Sequence, residues 1–584
     1  MTLDDIYSGD ECGSCPCVKY YIELNLDEDC QIRSSNAEVC GADTDLMALG
    51  NTIFSAAVGF NQTSFSQVVI DNSCGKRDND VCDCFWEGRE AKLFVGLDGW
   101  PCEDYQTAFC GFIDANPAGT LDSLQINING FPGGLNTPVL ADFNDDGVPL
   151  PKVFGGFQGF NVNGAITPDE PVIIAPVLTD PSNLIYQVNC GPVLDVMPVF
   201  DNGIALTFSA FVTDISAVTV NPGEYVVDLA TGEIKLGAPP LGQITAGVIS
   251  DGPITTASII EALLTELGMD SQINAQSLAD FNECFPYRVG LLIDDANITY
   301  LDLINSLMQS AHGWWGTNRN CEFEFGCNRT GEISGTFSNP TESGQEFITN
   351  GCTQTIELED IQTVSKLANI PPCTRLNLTQ RNWVTGDNFF NAGMQVDLSA
   401  EKFYPSKTNE IQSYVLARRD RNEFAEVLIN TLSGRRECFE VTLMCGALQY
   451  ERGTYVCVNL ERYGLNKQPF YIEQVTENVS TMQASLRLCR SIPVEPPNIS
   501  CNGPFSLGSG NFSDFNPADN EGAPSYDWSV SPDLPSNLLL DPTTGRISGG
   551  PIATGVTSPS TEYTITARNS AGESSCAFEL EING

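Results

Sequence analysis

Strand-length runs of apolar and alternating residues, separated by Gly, Pro and Asp, fill most of this 584-residue chain. They recur over 51–135, 204–250 and 438–489, whereas helical spacing of apolar residues is confined to three short stretches. A chain of this length can bury enough apolar surface to build about three to five domains. We therefore predict a mainly β fold with a smaller α/β part.

The three helical stretches lie at 255–268, 298–313 and 421–434. In the first, the apolar residues form one stripe, and Gly268 can end the helix. Between the first two stretches, VGLLIDD has the composition of a buried strand, and the later segment WWGTNRNCEFEFGC has that of a hairpin. These elements predict a small α/β domain at 251–350.

The chain carries 28 Lys and Arg against 75 Asp and Glu, a formal net charge of −47. A surface that binds nucleic acid needs basic residues to displace counterions from the phosphates, so the charge argues against a face of this kind. Two explanations of the acidity stay open. An acidic wall lets DNA slide past without sticking, and a salt-rich habitat favours acidic surfaces in general.

The N-terminus, MTLDDIYSGDECGSC, is acidic and lacks the apolar core of a secretory signal peptide. No apolar run reaches the roughly 18 residues that indicate a transmembrane helix. If the gene product begins here, we expect it to be made in a cytoplasm and released by lysis. Export by another route fits less well with the 22 cysteines of the chain.

The single histidine, His312, limits the chemistry available to the chain. Zinc sites with several His ligands are excluded, and any Ser/His/Asp or Cys/His system would depend on this residue. His312 ends a predicted helix, where a His commonly bonds to the last carbonyl groups. Paired carboxylates such as Asp294 and Asp295 are expected by chance among 75 acids, and nothing marks a glycosidase pair. We predict no catalytic residues and no enzyme activity.

Ten of the 22 cysteines lie between Cys12 and Cys110, and the segment 1–50 is predicted to be irregular. Cys12, Cys15 and Cys17 form C-x-x-C-x-C, in which thiolates can hold zinc or an iron–sulfur cluster. No second C-x-x-C follows at the spacing of a zinc ribbon. Disulfides formed after release, or free buried thiols, are therefore the alternatives to a metal ion in this cluster.

Two later pairs of cysteines are candidates for disulfides. Cys501 and Cys576 lie near the two ends of the segment 501–584, where a bridge would join the first and last strands. Cys321 and Cys327 bracket CEFEFGC and can clip a hairpin if their Cα atoms come within bridging distance.

A candidate calcium loop begins at DFNDDG, where Asp142, Asn144 and Asp146 stand at alternate positions before Gly147. Calcium loops open in this way because alternate oxygens and a glycine turn surround a hard cation. The twelfth position is Val153, where such a loop has Glu. A calcium ion and a plain Asx-rich turn are the two interpretations.

The segment 501–584 combines short alternating strands with Pro, Gly and Asp turns. Trp528 lies in an early strand, where the core of a sandwich would bury it. From this residue onward, the text W-x-V-x-P-x-L-P-x-x-L-x-L-D-x-x-T-G-x-I-x-G-x-P resembles the bacterial putative-Ig family. The resemblance implies a non-catalytic Ig-like β-sandwich at 501–584, typical of surface and virion proteins, after a stiff Pro-rich linker at 491–500.

Four earlier stretches carry a second resemblance. They are REAKLFVGLDGWPCEDYQTAFCGFI, LPKVFGGF with NLIYQVNCGPVLDVMPVFDNGIAL, YVVDLATGEIKLGAPPLGQITAGV with the elements up to HGWWGTNRNCEFEFG, and ERYGLNKQPFYIEQVTENVSTMQASLRL. Their order over residues 80–490 resembles the tail-hub family, the proteins that cap the tail tube in long-tailed phages and gene-transfer particles. The Cys-rich segment 1–120 and the Ig-like module depart from the family's pattern.

The second resemblance implies hub-type β-barrel domains that form a trimeric ring, with the small α/β domain outside the ring. Such a ring continues the tail tube, and its negative lumen repels the DNA backbone, so DNA passes through without specific binding. The implied partners are two further copies of the chain, distal tail and tube proteins, fibre or adhesin subunits, and the host cell surface.

We accordingly expect a Cys-rich N-terminal β hub domain at 1–135, a β-rich hub domain with connecting loops at 136–250 and a second β-barrel hub domain at 351–490. The predicted function is that of a structural virion protein, made in the host cytoplasm and placed at the distal end of the tail. A receptor-binding adhesin of the tail tip is the first alternative. A tail-associated cell-wall hydrolase is the second, and it lacks any recognisable motif.

Overall fold

Strands dominate the architecture of the chain in the computed structural model, and this confirms the mainly β class. Among the described residues, no helix combines the length and the apolarity that a membrane crossing requires. The structure describes residues 18–27, 30–55, 63–97, 99–120, 122–140, 142–157, 161–162, 165–166, 170–327, 354–368, 372–381, 384, 388–390, 395–398, 401, 405–444, 446–492, 497–508, 513–520, 527–535, 538–542, 545–549, 557–569 and 572–583.

The first lobe spans residues 18–129. Its elements are β1 Val18–Asp27, β2 Cys30–Ser35, β3 Leu46–Leu49, β4 Thr52–Ser55, β5 Thr63–Asp71, α1 Asp78–Asp83, β6 Glu90–Leu97, β7 Gln106–Ile113, β8 Ala118–Thr120 and β9 Ser123–Asn129. The prediction that residues 1–50 are irregular was wrong for the described part of this segment, which contains β1, β2 and β3. The run VKYYIELNLD alternates, so Ile22, Leu24 and Leu26 enter the core from one face of β1.

Two sheets follow in the middle of the chain. Their strands and the neighbouring short ones are β10 Lys152–Gly155, β11 Asn161–Val162, β12 Ala165–Ile166, β13 Val172–Ile174, β14 Val177–Asp180, β15 Ile185–Gln187, β16 Val193–Asp201, β17 Ile204–Ala205, β18 Thr207–Phe211, β19 Glu224–Asp228, β20 Glu233–Leu236 and β21 Ile244–Ser250. One sheet has the order β13-β21-β16-β17, and the other has the order β14-β15-β20-β19-β18. Apolar side chains of both sheets, including Val196 and Val227, share one core.

A helical layer comes next, and it confirms the two helices predicted near 255–268 and 298–313. Its elements are α2 Thr256–Glu266, α3 Ala275–Cys284, β22 Gly290–Ile293, α4 Tyr300–Ser310, β23 Gly313–Thr317 and β24 Phe323–Cys327. The capping boxes of Thr255 and Thr299 fix the starts of α2 and α4. The predicted buried strand and hairpin are present as β22 and as β23 with β24.

The next elements divide between two bodies. They are β25 Thr355–Ile356, β26 Ile361–Lys366, β27 Arg375–Arg381, β28 Asn388–Phe390, β29 Gln395–Val396, β30 Thr408–Gln412, α5 Arg418–Leu432, β31 Arg435–Leu443, β32 Tyr455–Leu460, β33 Leu465–Asn478 and β34 Gln483–Ile492. Helix α5 confirms the third predicted helix, and buried residues of β27 and α5 pack in the core of the helical layer. The strands β25, β26 and β31–β34 form the second lobe.

The two lobes are parts of one 15-stranded sheet. Its main path is β2-β1-β6-β7-β9-β5-β4-β33-β34-β31-β26, and the lobes meet where Ser55 of β4 lies opposite Gln474 of β33. One hydrophobic core runs through both lobes and includes Phe54, Phe439 and Val475. Within the residues described, the strands of the first lobe and the strands β25, β26 and β31–β34 therefore belong to one sheet, and the domain bounds 1–135 and 351–490 stay predictions.

The C-terminal module is a small sandwich. Its strands are β35 Ile499–Cys501, β36 Phe505–Gly508, β37 Ser513–Phe515, β38 Ala518–Asn520, β39 Asp527–Ser531, β40 Leu538–Leu540, β41 Ile547–Gly549, β42 Thr557–Asn569 and β43 Gly572–Asn583. The sheets β36-β43-β42-β39 and β37-β41-β40 share a core that contains Trp528. The T-G-x-I signature has a packing reason, because a Cβ on Gly545 would lie 2.6 Å from the Trp528 ring.

We predict that Gly155→Ala lowers the free energy of unfolding by about 3 kcal/mol, measured by chemical denaturation. Gly155 has φ +82°, and an added Cβ would lie 1.8 Å from the carbonyl oxygen of Val289, which precedes β22. The control is Gly133→Ala, whose Cβ would meet nothing within 4 Å. Equal stabilities of the two variants would contradict the close approach of β10 to β22.

Candidate functional site: a buried arginine between the lobes

Arg319 lies in the turn between β23 and β24, where the helical layer meets both lobes. Its Nη1 and Nη2 donate to the two carboxylate oxygens of Glu477, on β33, at 2.7 and 3.0 Å. Its Nε donates to Glu451 Oε1 at 2.7 Å. The planar guanidinium therefore binds one carboxylate with both terminal nitrogens, which is the strongest geometry available to an Arg–Glu pair.

The remaining contacts of Arg319 reach across the molecule. Nη1 also donates to the carbonyl of Ala108 on β7, at 3.0 Å, and Nη2 to the carbonyl of Tyr450, at 3.2 Å. The guanidinium carbon lies 4.7 Å from the centre of the Phe54 ring on β4. One side chain of the helical layer thus holds backbone and ring groups of the first lobe and carboxylate and backbone groups of the second.

Both members of the pair are inside the protein. Arg319 is 7% exposed and Glu477 is fully buried. Burial alone would lower the pKa of Arg319, but the carboxylates of Glu477 and Glu451 outweigh burial and raise that pKa above its ordinary value. Glu477 also accepts the backbone N–H of Leu448 at 2.6 Å. Loss of Arg319 would leave the charge of Glu477 buried without a counter-charge.

A second arginine supports the same junction. Arg452 Nη2 donates to the carbonyl of Thr317 at 2.7 Å, and the Thr317 hydroxyl donates to the carbonyl of Gly130 at 2.7 Å. Arg452 stacks on the ring of Trp314, and burial lowers its pKa to about 10. Trp314 and the neighbouring Trp315 are both buried, so this aromatic pair packs inside the protein.

Two disulfides bracket this junction and correct the predicted hairpin clip. Cys321 is joined to Cys110, with Cα atoms 5.2 Å apart, and Cys327 is joined to Cys284, with Cα atoms 6.5 Å apart. Cys321 precedes β24 and Cys327 ends it. At about 3.3 Å per residue the extended chain holds them roughly 20 Å apart, far beyond bridging distance.

Three more disulfides whose two cysteines are both among the described residues lie away from the junction. Cα–Cα distances are 5.4 Å for Cys40–Cys102, 4.2 Å for Cys438–Cys489 and 5.5 Å for Cys501–Cys576. The last bridge ties β35 to β43 in the C-terminal module. The described cysteines without a bridge are Cys74, Cys82, Cys190 and Cys373.

The described residues offer little to a metal ion. Two groups bring three candidate ligand atoms close together, Glu90 with Cys110 and Cys321, and Glu473 with Cys438 and Cys489. In both groups the two cysteines are bonded to each other, so no thiolate is available. The predicted cluster of Cys12, Cys15 and Cys17 lies outside the described residues, and it stays a prediction.

The candidate calcium loop is described, and its central residue faces the backbone. Asn144 Oδ1 accepts the N–H groups of Asp146 and Val148, at 3.1 and 2.8 Å, and Gly147 takes a left-handed φ of +76°. This is the hydrogen bonding of an Asx-rich turn. A calcium ion bound by Asp142, Asn144 and Asp146 would require the Asn144 oxygen to give up its two backbone N–H contacts. The calcium site therefore remains a prediction.

His312 follows α4, and its backbone N–H donates to the carbonyl of Gln309 at 3.0 Å. It borders a small cavity lined also by Phe285, Phe424 and the Cys284–Cys327 bridge. Burial, assisted by Arg436, lowers its pKa to about 4, so the ring is neutral at ordinary pH. Among the described residues that line this cavity, there is neither a serine nor a free thiol beside the histidine.

The arginine junction could not be predicted from the sequence. Arg319 stands in the polar turn NRNC, which has the composition of an exposed hairpin tip, and Glu477 is one of 75 acids. The only available signal was the alternation along β33, in which the polar Glu477 occupies a position between the buried Val475 and Val479. A pair 158 residues apart in the chain leaves no local pattern.

We predict that Arg319→Met lowers the free energy of unfolding by about 3–5 kcal/mol, because Glu477 is left buried without a counter-charge. The double variant Arg319→Met/Glu477→Leu should recover a large part of this loss. As a control, Arg568→Met removes an exposed pair with Glu573 and should change stability by about 0.5 kcal/mol or less. Chemical denaturation measures all three. An Arg319→Met protein as stable as the control would contradict the proposed junction.

We predict that His312→Asn flattens the loss of stability in acid. The folded-state pKa of about 4 lies below the ordinary value of 6.5, so the unfolded chain takes up the proton first and stability falls as the pH drops through that interval. The wild-type chain should lose about 2 kcal/mol more than the variant between pH 7 and pH 4.5. Asn is chosen because His312 has φ +53°, which Asn tolerates. Parallel stability curves would contradict the prediction.

Comparison with known proteins matches the C-terminal module to a domain family. It also finds solved structures that are similar to most of the chain. The family model of the Putative Ig domain matches residues 501–583, and no curated protein matches the chain. Among solved structures, the chain is similar to the 43 kDa tail protein of prophage MuSo2 from Shewanella oneidensis, at 10% identity and TM-score 0.35, over 81% of this chain and 98% of that one.

Two further tail proteins are similar over a comparable extent. The tail protein from Neisseria meningitidis MC58 has 8% identity and a TM-score of 0.36, over 81% of this chain and 96% of that one. The prophage tail protein gp18 from Listeria monocytogenes EGD-e has 9% identity and a TM-score of 0.32, over 80% and 94%. All three structures are thus tail proteins that are similar over most of the chain, and the C-terminal module has the sequence of an Ig domain.

Proposed function

We propose that the chain is a structural virion protein, a hub that closes the distal end of a phage tail as a ring of three copies. The observation that carries the proposal is the 15-stranded sheet, which places the first and second lobes side by side as one continuous β wall. The sequence resemblance implies β-barrel domains in a ring with a small α/β domain outside. Three copies with two lobes each would supply six β modules around one bore.

The charge of the chain supports the conduit part of the proposal. At −47 per copy, a ring of three presents a strongly negative surface to any DNA that passes through it. Phosphates are repelled by such a surface, so DNA would not be trapped during passage. The buried Arg319 is not available to a phosphate either, because its guanidinium already donates to two glutamates and two backbone carbonyls.

The C-terminal module fits a peripheral role. It has its own core and its own disulfide, Cys501–Cys576. A module with its own core can fold independently and project from the ring without forming part of the ring wall. Fibre or adhesin subunits would attach on the distal side of the ring, and host contact by residues 501–584 would be an added property of the particle.

We expect native mass spectrometry of the full chain, under non-reducing conditions, to find a trimer of the 63.1 kDa chain. The mass of the denatured chain gives the number of bridged thiols, since each disulfide removes a pair of hydrogen atoms. Bound zinc or iron would add its mass to the native ion and be lost from the denatured chain. A protein that stays monomeric up to micromolar concentrations would contradict the ring. Binding to host cells by residues 501–584 alone would then favour the adhesin.

A further inference from the structure

The negative charge of this chain is unevenly distributed along it. Residues 1–350 contain 11 Lys and Arg against 48 Asp and Glu, a net charge of −37. Residues 351–490 contain 15 Lys and Arg against 16 Asp and Glu, a net charge of −1. More than half of the basic residues therefore lie in less than a quarter of the chain.

Basic residues of the first lobe are neutralised within the chain. Arg33 pairs with Glu23 at 2.8 Å, Lys92 with Glu90 at 2.8 Å, and Arg77 with Asp45 at 2.8 Å. The acidic residues of segment 1–350 outnumber its basic residues, so most of these acids have no cation within the segment to pair with. Copies of the chain that meet through their acidic halves would repel each other.

The segment 405–467 is different, because it leaves cations exposed and without an ion pair among the described residues. These are Lys407, Arg418, Arg419, Arg462 and Lys467. By contrast, Lys366 on β26 and Arg490 on β34 of the second lobe are paired, because both bind Glu437. The five exposed cations are therefore what this segment can offer to another molecule.

Two of these cations stand at the start of a helix. Arg418 and Arg419 occupy the first turn of α5, and the N-cap residue Ala417 supplies no side-chain hydrogen bond. The N-terminal end of a helix carries partial positive charge, which favours acidic residues and disfavours basic ones. Asp420 in the same turn and the Glu170 carboxylate, which accepts the backbone N–H of Arg418, already supply negative charge at this end. The side chains of Arg418 and Arg419 stay exposed, where the acids of another copy can reach them.

We propose that the exposed cations of residues 405–467 contact the acidic surface of residues 1–350 on the neighbouring copy. The proposal rests on the ring assembly proposed above. A contact between two different surfaces of identical copies is a head-to-tail contact, and repeating it closes a ring when the rotation fits. It also explains how copies with a charge of −47 associate, because each contact brings a cationic segment against an anionic one.

The test compares charge-reversed variants of equal net charge by sedimentation velocity over a concentration series. Arg418→Glu/Arg419→Glu and Arg462→Glu/Lys467→Glu reverse the exposed cations, and Arg546→Glu/Arg568→Glu in the C-terminal module is the control. We expect each of the first two to need about tenfold more protein than the control for half-assembly. Each pair of reversals changes the charge of −47 by the same amount, so general repulsion is matched among the three variants.

The melting temperature of every variant is measured as a control for misfolding, because Glu170, Asp420 and Glu423 lie near the start of α5 and would repel added Glu side chains. If a reversed variant melts lower than the control, the uncharged pair Arg418→Gln/Arg419→Gln replaces it in the comparison. If the wild-type chain assembles and all variants assemble like the control, the charge contact is overturned and the ring stands. If the wild-type chain itself never assembles, the ring is overturned, and this contact with it.

Discussion

The bidentate contact between Arg319 and Glu477 is the interaction on which the arrangement of this molecule depends. The helical layer, the first lobe and the second lobe come from distant parts of the chain, and Arg319, which belongs to the helical layer, contacts both lobes through charged, carbonyl and aromatic groups. A buried ion pair gains little net stability over apolar packing, but it tolerates only one arrangement, because any shift leaves a charge unpaired. The pair therefore fixes the relative position of the bodies more than it adds to their stability.

The large sheet and the disulfides are built on the same junction. The pairing of β4 with β33 places Phe54 next to the guanidinium, and Cys321, in the same turn as Arg319, is bonded to Cys110 on β7. Hydrogen bonds, an ion pair and a covalent bridge thus converge on one short turn. A continuous wall of two rigidly joined lobes suits the proposed ring, and the acidic charge would give its surface a function that does not depend on any catalytic group.

Local features were predictable from the sequence, and long-range ones were not. The helical stripes near 255–268 and 298–313 and the strand VGLLIDD were correctly predicted, because period and capping residues are encoded within a few positions. Helix α3 was missed because it buries only Leu278 and Phe281 and lacks a full apolar stripe. The union of the lobes and the pairing of Cys321 with Cys110 depend on contacts between residues hundreds of positions apart, which leave no periodic signal.

Cryo-electron microscopy of the purified full-length protein tests most directly whether the two lobes of each copy form part of a closed ring. We expect a threefold ring in which six β modules surround an open bore, the acidic surface faces that bore, and the C-terminal modules project from the periphery. Particles without threefold symmetry, or a ring whose lobes lie outside and whose helical layer lines the bore, would contradict the proposed assembly.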